Sequence, residues 1–175
     1  MKIGIDIDNV IANTLVDLAD RFNEYIGREL SPVEVVEVMR KEKFRMWGYW
    51  FLTWRKGLLT KVSVISGARD TIRQWHGGHK IVLVTSRLRI LNRQTRFWLS
   101  ENGIPYHELH HSKETKKHLK ADGCEIFIED NLEECEVLAD HCRQVFLMDH
   151  PWNRRPIKNK NIVRVNGWSE LKGLL

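Results

Sequence analysis

The chain has 175 residues, 42% of them hydrophobic and 29% charged, and carries a net charge of +5 before its eight histidines are counted. That length suits one domain with an ordinary core, and the composition excludes a disordered or fibrous chain; no apolar run nears the roughly 20 residues that a bilayer-spanning helix needs. Basic residues are scattered, with short clusters at Lys113 to Lys120 and Arg154 to Lys160, so the charge fits a small anionic partner better than wholesale nucleic-acid binding.

The chain opens MKIGIDIDNVIANT. Ile3, Ile5 and Ile7 alternate with Gly4 and Asp6 in a short strand that stops at Asp8-Asn9. Two carboxylates this close repel, so a cation must sit nearby or one of them must hold a proton. No basic segment followed by an apolar one precedes the strand, which argues against a signal peptide and for the cytoplasm. A helical pattern follows over Asn13 to Tyr25, with Leu15, Leu18, Ala19 and Phe22 at the right spacing. Ser31-Pro32 starts a second helix over Val33 to Met39. FRMWGYWFLTW (Phe44 to Trp54) then gathers three of the seven tryptophans. Trp47, Trp50, Phe51 and Trp54 follow three- and four-residue steps, which is one helix face and suits a packed interior; the same rings could line a pocket.

Ala68 to Trp75 reads as a helix stopped by Gly77-Gly78. KIVLVTSR (Lys80 to Arg87) is a second strand, Ile90 to Asn102 a helix ended by Gly103, and EIFIEDN (Glu125 to Asn131) a third strand. Leu132 to His141 is a helix capped by Asn131. RQVFLMD (Arg143 to Asp149) and NIVRVN (Asn161 to Asn166) complete the strands. Near-continuous apolar strands alternating with helices predict an α/β fold with an open, Rossmann-like parallel sheet covered on both faces. The roughly seventy residues between the first two strands exceed what one crossover needs. They predict a small helical cap over residues 14–65, inserted after the first strand of a core formed by 1–13 and 66–175. Cys124, Cys135 and Cys142 show no metal-ligand spacing and read as buried, reduced thiols.

In a parallel sheet the strand ends meet at one edge. That edge collects Asp6 and Asp8, Thr85, Ser86 and Arg87, Glu129 and Asp130, and a lysine from the turn SKETKK (Ser112 to Lys117). Four carboxylates together call for a divalent cation, and an all-oxygen set favours Mg2+.

Four short motifs in this order, IDIDNVIANT, Thr85 after an apolar strand, a lysine of SKETKK and the acidic pair of IEDN, resemble the haloacid dehalogenase (HAD) superfamily of phosphohydrolases. The position of the cap and the tail FLMDHPWNR (Phe146 to Arg154) further resemble the 5'(3')-deoxyribonucleotidase family and its bacterial nucleotidase relatives. The resemblance implies a Mg2+-dependent phosphomonoesterase whose nucleophile is Asp6, forming an aspartyl-phosphate. Asp8 is then the general acid and base, lending the metal only its backbone carbonyl. Asp130 is implied as a direct metal ligand and Glu129 as a ligand through water or a supporting group. Thr85, with Ser86, would hold phosphoryl oxygens, and Lys116 would neutralise their charge; Lys116 is chosen as the start of a short helix whose Leu119 faces the core, with Lys113 and Lys117 as alternatives. Arg87, Trp47, Trp50, Asn153 and Arg154 are pocket candidates. The implied substrate is a nucleoside or deoxynucleoside monophosphate. Another small ester, such as a sugar phosphate, is the alternative, and a non-enzymatic nucleic-acid-binding module is a distant one.

Overall fold

The computed structural model describes residues 1–113 and 115–173, so Glu114 of the lysine turn and the last two residues of the expected core lie outside the described residues. Six parallel strands form one sheet: β1 (Lys2–Ile5), β2 (Lys80–Thr85), β3 (Glu108–His111), β4 (Ile126–Glu129), β5 (Gln144–Met148) and β6 (Ile162–Val165), in the order β3-β2-β1-β4-β5-β6. The α/β, Rossmann-like open sheet expected from the sequence is therefore present. β3 is an addition. Its sequence ELHH carries no apolar run because it is an edge strand, half-buried along its whole length.

Alternate residues of the inner strands feed two cores. Ile3 and Ile5 of β1, Ile81 and Leu83 of β2, and Ile126 and Ile128 of β4 pack on one face with Ile72 and Trp75 of α5 (Ala68–His76) and Trp98 and Leu99 of α6 (Asn92–Glu101). On the other face Val82, Val84, Phe127, Val145 and Leu147 pack with Cys135 and Leu138 of α7 (Leu132–Leu138). Burial on both faces is what makes these strands apolar throughout. All three cysteines are buried and free, and burial pushes the thiols of Cys124 and Cys142 up to about 11 and 12.

Gly4 shows how tight the second face is. A β-carbon there would lie 2.2 Å from the ring of Phe127, its register partner on β4, and that ring is fully buried. Gly4→Ala is expected to cost about 1–3 kcal/mol through overpacking. Urea denaturation checks this, and an unchanged midpoint would contradict it.

The stretch between β1 and β2 forms α1 (Thr14–Asp17), α2 (Ala19–Ile26), α3 (Pro32–Lys41) and α4 (Lys43–Arg55). The first expected helix is thus two, broken at Leu18. α3 starts on a capping box: Ser31 Oγ accepts from the Glu34 amide while the Ser31 N–H donates to Glu34 Oε2. Leu15, Phe22, Val35, Val38, Met46 and Tyr49 form a third cluster of their own. Leu59 and Val62, later in the same stretch, return to the main core. Among the described residues no helix is long and apolar enough to cross a membrane. α8 (Trp168–Lys172) closes the chain over the sheet, its Trp168 Nε1 donating to the Val10 carbonyl.

The strand order reverses between β1 and β4, which places a crevice beyond their carboxyl ends. What can sit there is decided by the side chains at those ends.

Candidate active site

Asp6 follows β1 directly, and its amide donates to the Ile128 carbonyl of β4 at 3.0 Å, so the two strands aim their ends at the same point. The carboxylates of Asp6, Glu129 and Asp130 each offer an oxygen within 4.8 Å of the others, and all three residues are buried. Lys117 Nζ lies between two of them, 2.9 Å from Asp6 Oδ1 and 2.8 Å from Glu129 Oε2.

Lys117, not Lys116, is the lysine brought to the carboxylates. Residues Lys117–Leu119 form a single 3-10 turn rather than the start of an α-helix. This tighter turn points Lys117 inward, 2% exposed, and leaves Leu119 63% exposed, so the helical phase that favoured Lys116 does not apply. Lys116 and Lys113 are exposed. The turn is tied to α7 by the Thr115 amide, which donates to Glu134 Oε1.

The acids strain against their setting. Burial pushes Asp6 up to about 8, with Glu129 and Asp8 adding to the rise and Lys117 opposing it. Glu129 and Asp130 are also raised, chiefly by burial and then by neighbouring carboxylates. Burial works against the charge on Lys117, but the carboxylates of Asp6 and Glu129 beside it outweigh burial and hold it firmly charged. With one ammonium among them, the three buried carboxylates can all be ionised only if further positive charge joins them. Their oxygen-only donor set fits a hard divalent cation, which Asp6, Glu129 and Asp130 would hold.

Asp8 is turned elsewhere. Its carboxylate is outside the group of three and takes a two-pronged contact from Arg87, with Nε 2.9 Å from Oδ2 and Nη2 2.8 Å from Oδ1. Thr14 Oγ1 donates to Oδ1 at 2.5 Å. Burial alone would raise this acid, but the Arg87 guanidinium outweighs it and holds the carboxyl below the ordinary range. Arg87 is thereby placed on an acid, not left open toward the cap.

These groups open onto a cavity of about 280 Å³. Ser86, Arg87 and the acids line its floor; Leu15, Leu18, Phe22, Met39, Tyr49 and Trp50 line its roof. Thr85 is fully buried and does not line the cavity; its Oγ1 accepts from the Arg87 amide at 3.2 Å. The cap aromatics divide. Tyr49 is core, Trp50 is half-buried and faces the cavity, and Trp47 is 66% exposed, lining only a neighbouring hollow.

Asn153 and Arg154 are not on the cavity wall. Asn153 is buried, and its Nδ2 donates to the carbonyls of Asp130 and Met148, both at 2.7 Å. It is a bracket for the acidic loop. Arg154 is exposed and pairs with Asp149 at 2.8 Å.

Two residues that the sequence reading passed over complete the site. Asn9 adopts a left-handed conformation, φ 59°, its Nδ2 donating to Asp130 Oδ2 and its Oδ1 accepting from the Leu15 amide. Trp152 Nε1 donates to the same Asp130 oxygen at 3.1 Å, and its ring stacks on His150 at 4.3 Å. An asparagine directly after paired acids was the available signal for the first, because asparagine tolerates that backbone. Trp152 had none beyond its place beside Asn153.

A parallel sheet with an aspartate, a lysine and an acidic pair gathered at one edge marks a HAD-type phosphomonoesterase. Over residues 1–175 the sequence matches the family described as 5' nucleotidase, deoxy (pyrimidine), cytosolic type C protein, and the chain belongs to that family. A nucleotidase of Clostridium acetobutylicum is 26% identical over 183 residues, covering 100% of this chain and 93% of that one. A provisional nucleotidase of Halalkalibacterium halodurans is 24% identical over 98% of this chain and 90% of its own. Among solved structures, a provisional HAD-hydrolase of Bacillus subtilis bound to magnesium superposes with a TM-score of 0.66 at 16% identity, over 99% of this chain and 97% of that one.

Proposed function

We propose that this chain is a Mg2+-dependent phosphatase of nucleoside or deoxynucleoside monophosphates, working through an aspartyl-phosphate on Asp6. The observation that carries this reading is the cavity itself: carboxylates and a buried lysine form its floor, and apolar and aromatic side chains form its roof. A phosphate fits the floor and a flat, weakly polar base fits the roof. Residues 14–65 act as the cap that selects the leaving group.

A bound divalent cation would supply positive charge between Asp6 and the phosphate, so that two anions can approach. The rest falls to the chain. An Asp6 oxygen attacks phosphorus, and the ester oxygen departs with a proton from Asp8. Asp8 then takes a proton from the water that attacks the aspartyl-phosphate, which restores both acids and frees inorganic phosphate. Lys117 steadies Asp6 before attack and offsets charge as it builds on the phosphoryl oxygens. Glu129 and Asp130 keep the floor anionic enough to hold the cation. Ser86, exposed on the cavity wall, would donate to the phosphate.

The test is a panel of nucleotides and sugar phosphates hydrolysed by the purified protein with Mg2+ and with EDTA. Turnover of nucleoside monophosphates that EDTA abolishes and Mg2+ restores is the expected result. Activity indifferent to chelation would remove the metal from the reading. Hydrolysis of sugar phosphates with none of any nucleotide would remove the nucleotide.

A further inference from the structure

Arg87 does not fit the reaction as it stands. Its guanidinium covers both oxygens of Asp8, and Thr14 covers one of them as well. Oδ1 is filled by Arg87 and Thr14, and Oδ2 accepts from Arg87 Nε, so the one lone pair left for a proton lies against the guanidinium. Asp8 and an incoming phosphate are both anions that call on this one guanidinium, so the two compete for it.

The surroundings of Arg87 bear on that competition. Its backbone is anchored at the end of β2: the amide donates to Thr85 Oγ1, and the carbonyl lies 2.8 Å from His111 Nδ1. Its side chain is held far more loosely beyond Asp8. Nη1 reaches Thr95 Oγ1 only at 3.4 Å, and the guanidinium stands 5.8 Å from the centre of the Trp98 ring. Asp8, in contrast, keeps Thr14 if Arg87 leaves. Among the described residues lining the cavity, Arg87 and Lys117 are the cations, against five acids. Lys117 is already committed to Asp6 and Glu129. An arriving phosphate thus finds one planar fork that matches its oxygens and whose one close charged partner is Asp8.

We propose that Arg87 is a partner-exchange residue: it clasps Asp8 in the empty site and transfers to the oxygens of the incoming phosphate, releasing Asp8 toward the leaving group. The pairing keeps Asp8 from binding the cation in the empty site, and the exchange arms the proton carrier only when a phosphate is present. This rests on the phosphatase reading, which fails separately if the wild-type protein hydrolyses no phosphate ester.

Orthophosphate is the probe, and its binding with Mg2+ present is measured by calorimetry on the wild type, Asp8→Asn, Arg87→Met and the double variant. Arg87→Met is expected to weaken orthophosphate about tenfold or more, the size of a lost bidentate charged contact. Asp8→Asn is expected to tighten it, because Arg87 loses the acid that competes for it. Removing a negative charge would also tighten binding without any exchange, and the double variant separates the two. Under exchange, the gain from Asp8→Asn largely disappears in the Arg87→Met background; an equal gain in both backgrounds overturns the proposal. If Arg87→Met does not fold, the wild type still decides: the Arg87 Nε–H resonance, followed by NMR, is expected to shift when orthophosphate is added. A resonance that stays in place while orthophosphate binds overturns the exchange.

Discussion

Lys117→Ala is expected to lower kcat/KM for a phosphate ester by about 10²–10³-fold, the usual scale for removing one charged group that meets a developing anion. It is also expected to destabilise the fold by about 3–5 kcal/mol, as removal of one partner from a buried ion pair does. The cause is visible in the distances: Nζ bridges Asp6 and Glu129 at 2.9 and 2.8 Å, and all three side chains are almost wholly buried. Lys117 opposes the rise that burial imposes on Asp6, so without the ammonium Asp6 holds its proton more tightly, and a protonated Asp6 is no nucleophile. Lys116→Ala, on the exposed neighbour, is expected to stay within about 0.5 kcal/mol and near wild-type turnover. Steady-state kinetics and urea denaturation of the two variants check this. An active Lys117 variant beside an inactive Lys116 variant would return the role to Lys116.

Asp6→Asn is expected to lose at least about 10⁴-fold in turnover, since an amide cannot form the acyl-phosphate. The same variant should fold well, and its pH dependence follows from the sign of the shift. In the folded chain Asp6 titrates at about 8, while in the unfolded chain it titrates near 3.9. Between those values the folded state holds a proton that the unfolded state has shed. Stability of the metal-free protein therefore falls as pH rises from about 4 to about 8. Glu129 and Asp130, raised for the same reason, tilt the curve the same way. Asp6→Asn removes one contribution, so its curve is flatter and lies above the wild type at pH 8. Mg2+ at a hundred times its dissociation constant should restore about 2.7 kcal/mol to the wild type. Urea unfolding at pH 6 and pH 8, with EDTA and with Mg2+, reads all of this. A metal-free wild type more stable at pH 8 than at pH 6 would contradict it.

The inner strands were legible in the sequence because burial on both faces leaves no polar position to obscure them. β3 was not, because an edge strand with Glu108, His110 and His111 carries no such run. The paired acids and Glu129-Asp130 were legible as groups, since strand ends in a parallel sheet converge whatever the loops do. Choosing a lysine within SKETKK was a different matter. It required the phase of one turn, and a 3-10 turn advances by 120° per residue where an α-helix advances by 100°. Arg87, Asn153 and Arg154 were read from their nearness to the edge, but nearness does not fix direction. Asn153 turns inward to hold backbone, Arg154 outward to Asp149, and Arg87 sideways to Asp8. Such pairings depend on partners 5 to 79 positions away, which a local pattern does not encode.

Asn9 bears on how this chain can change over time. Besides its bonds to Asp130 and Leu15, its amide donates to the Ala12 carbonyl, and its own carbonyl lies 2.8 Å from His150 Nε2. Glycine would accept the backbone twist but offer no side chain to either partner. Aspartate would keep the contact with Leu15 but set a further negative charge against Asp130. Glutamine would carry the right amide one carbon too far out and favour the left-handed backbone less. A side chain that must donate, accept, be short and tolerate φ 59° is met by one residue type. Position 9 has no neighbouring step in sequence space that keeps all its duties, so drift through this loop must go around it.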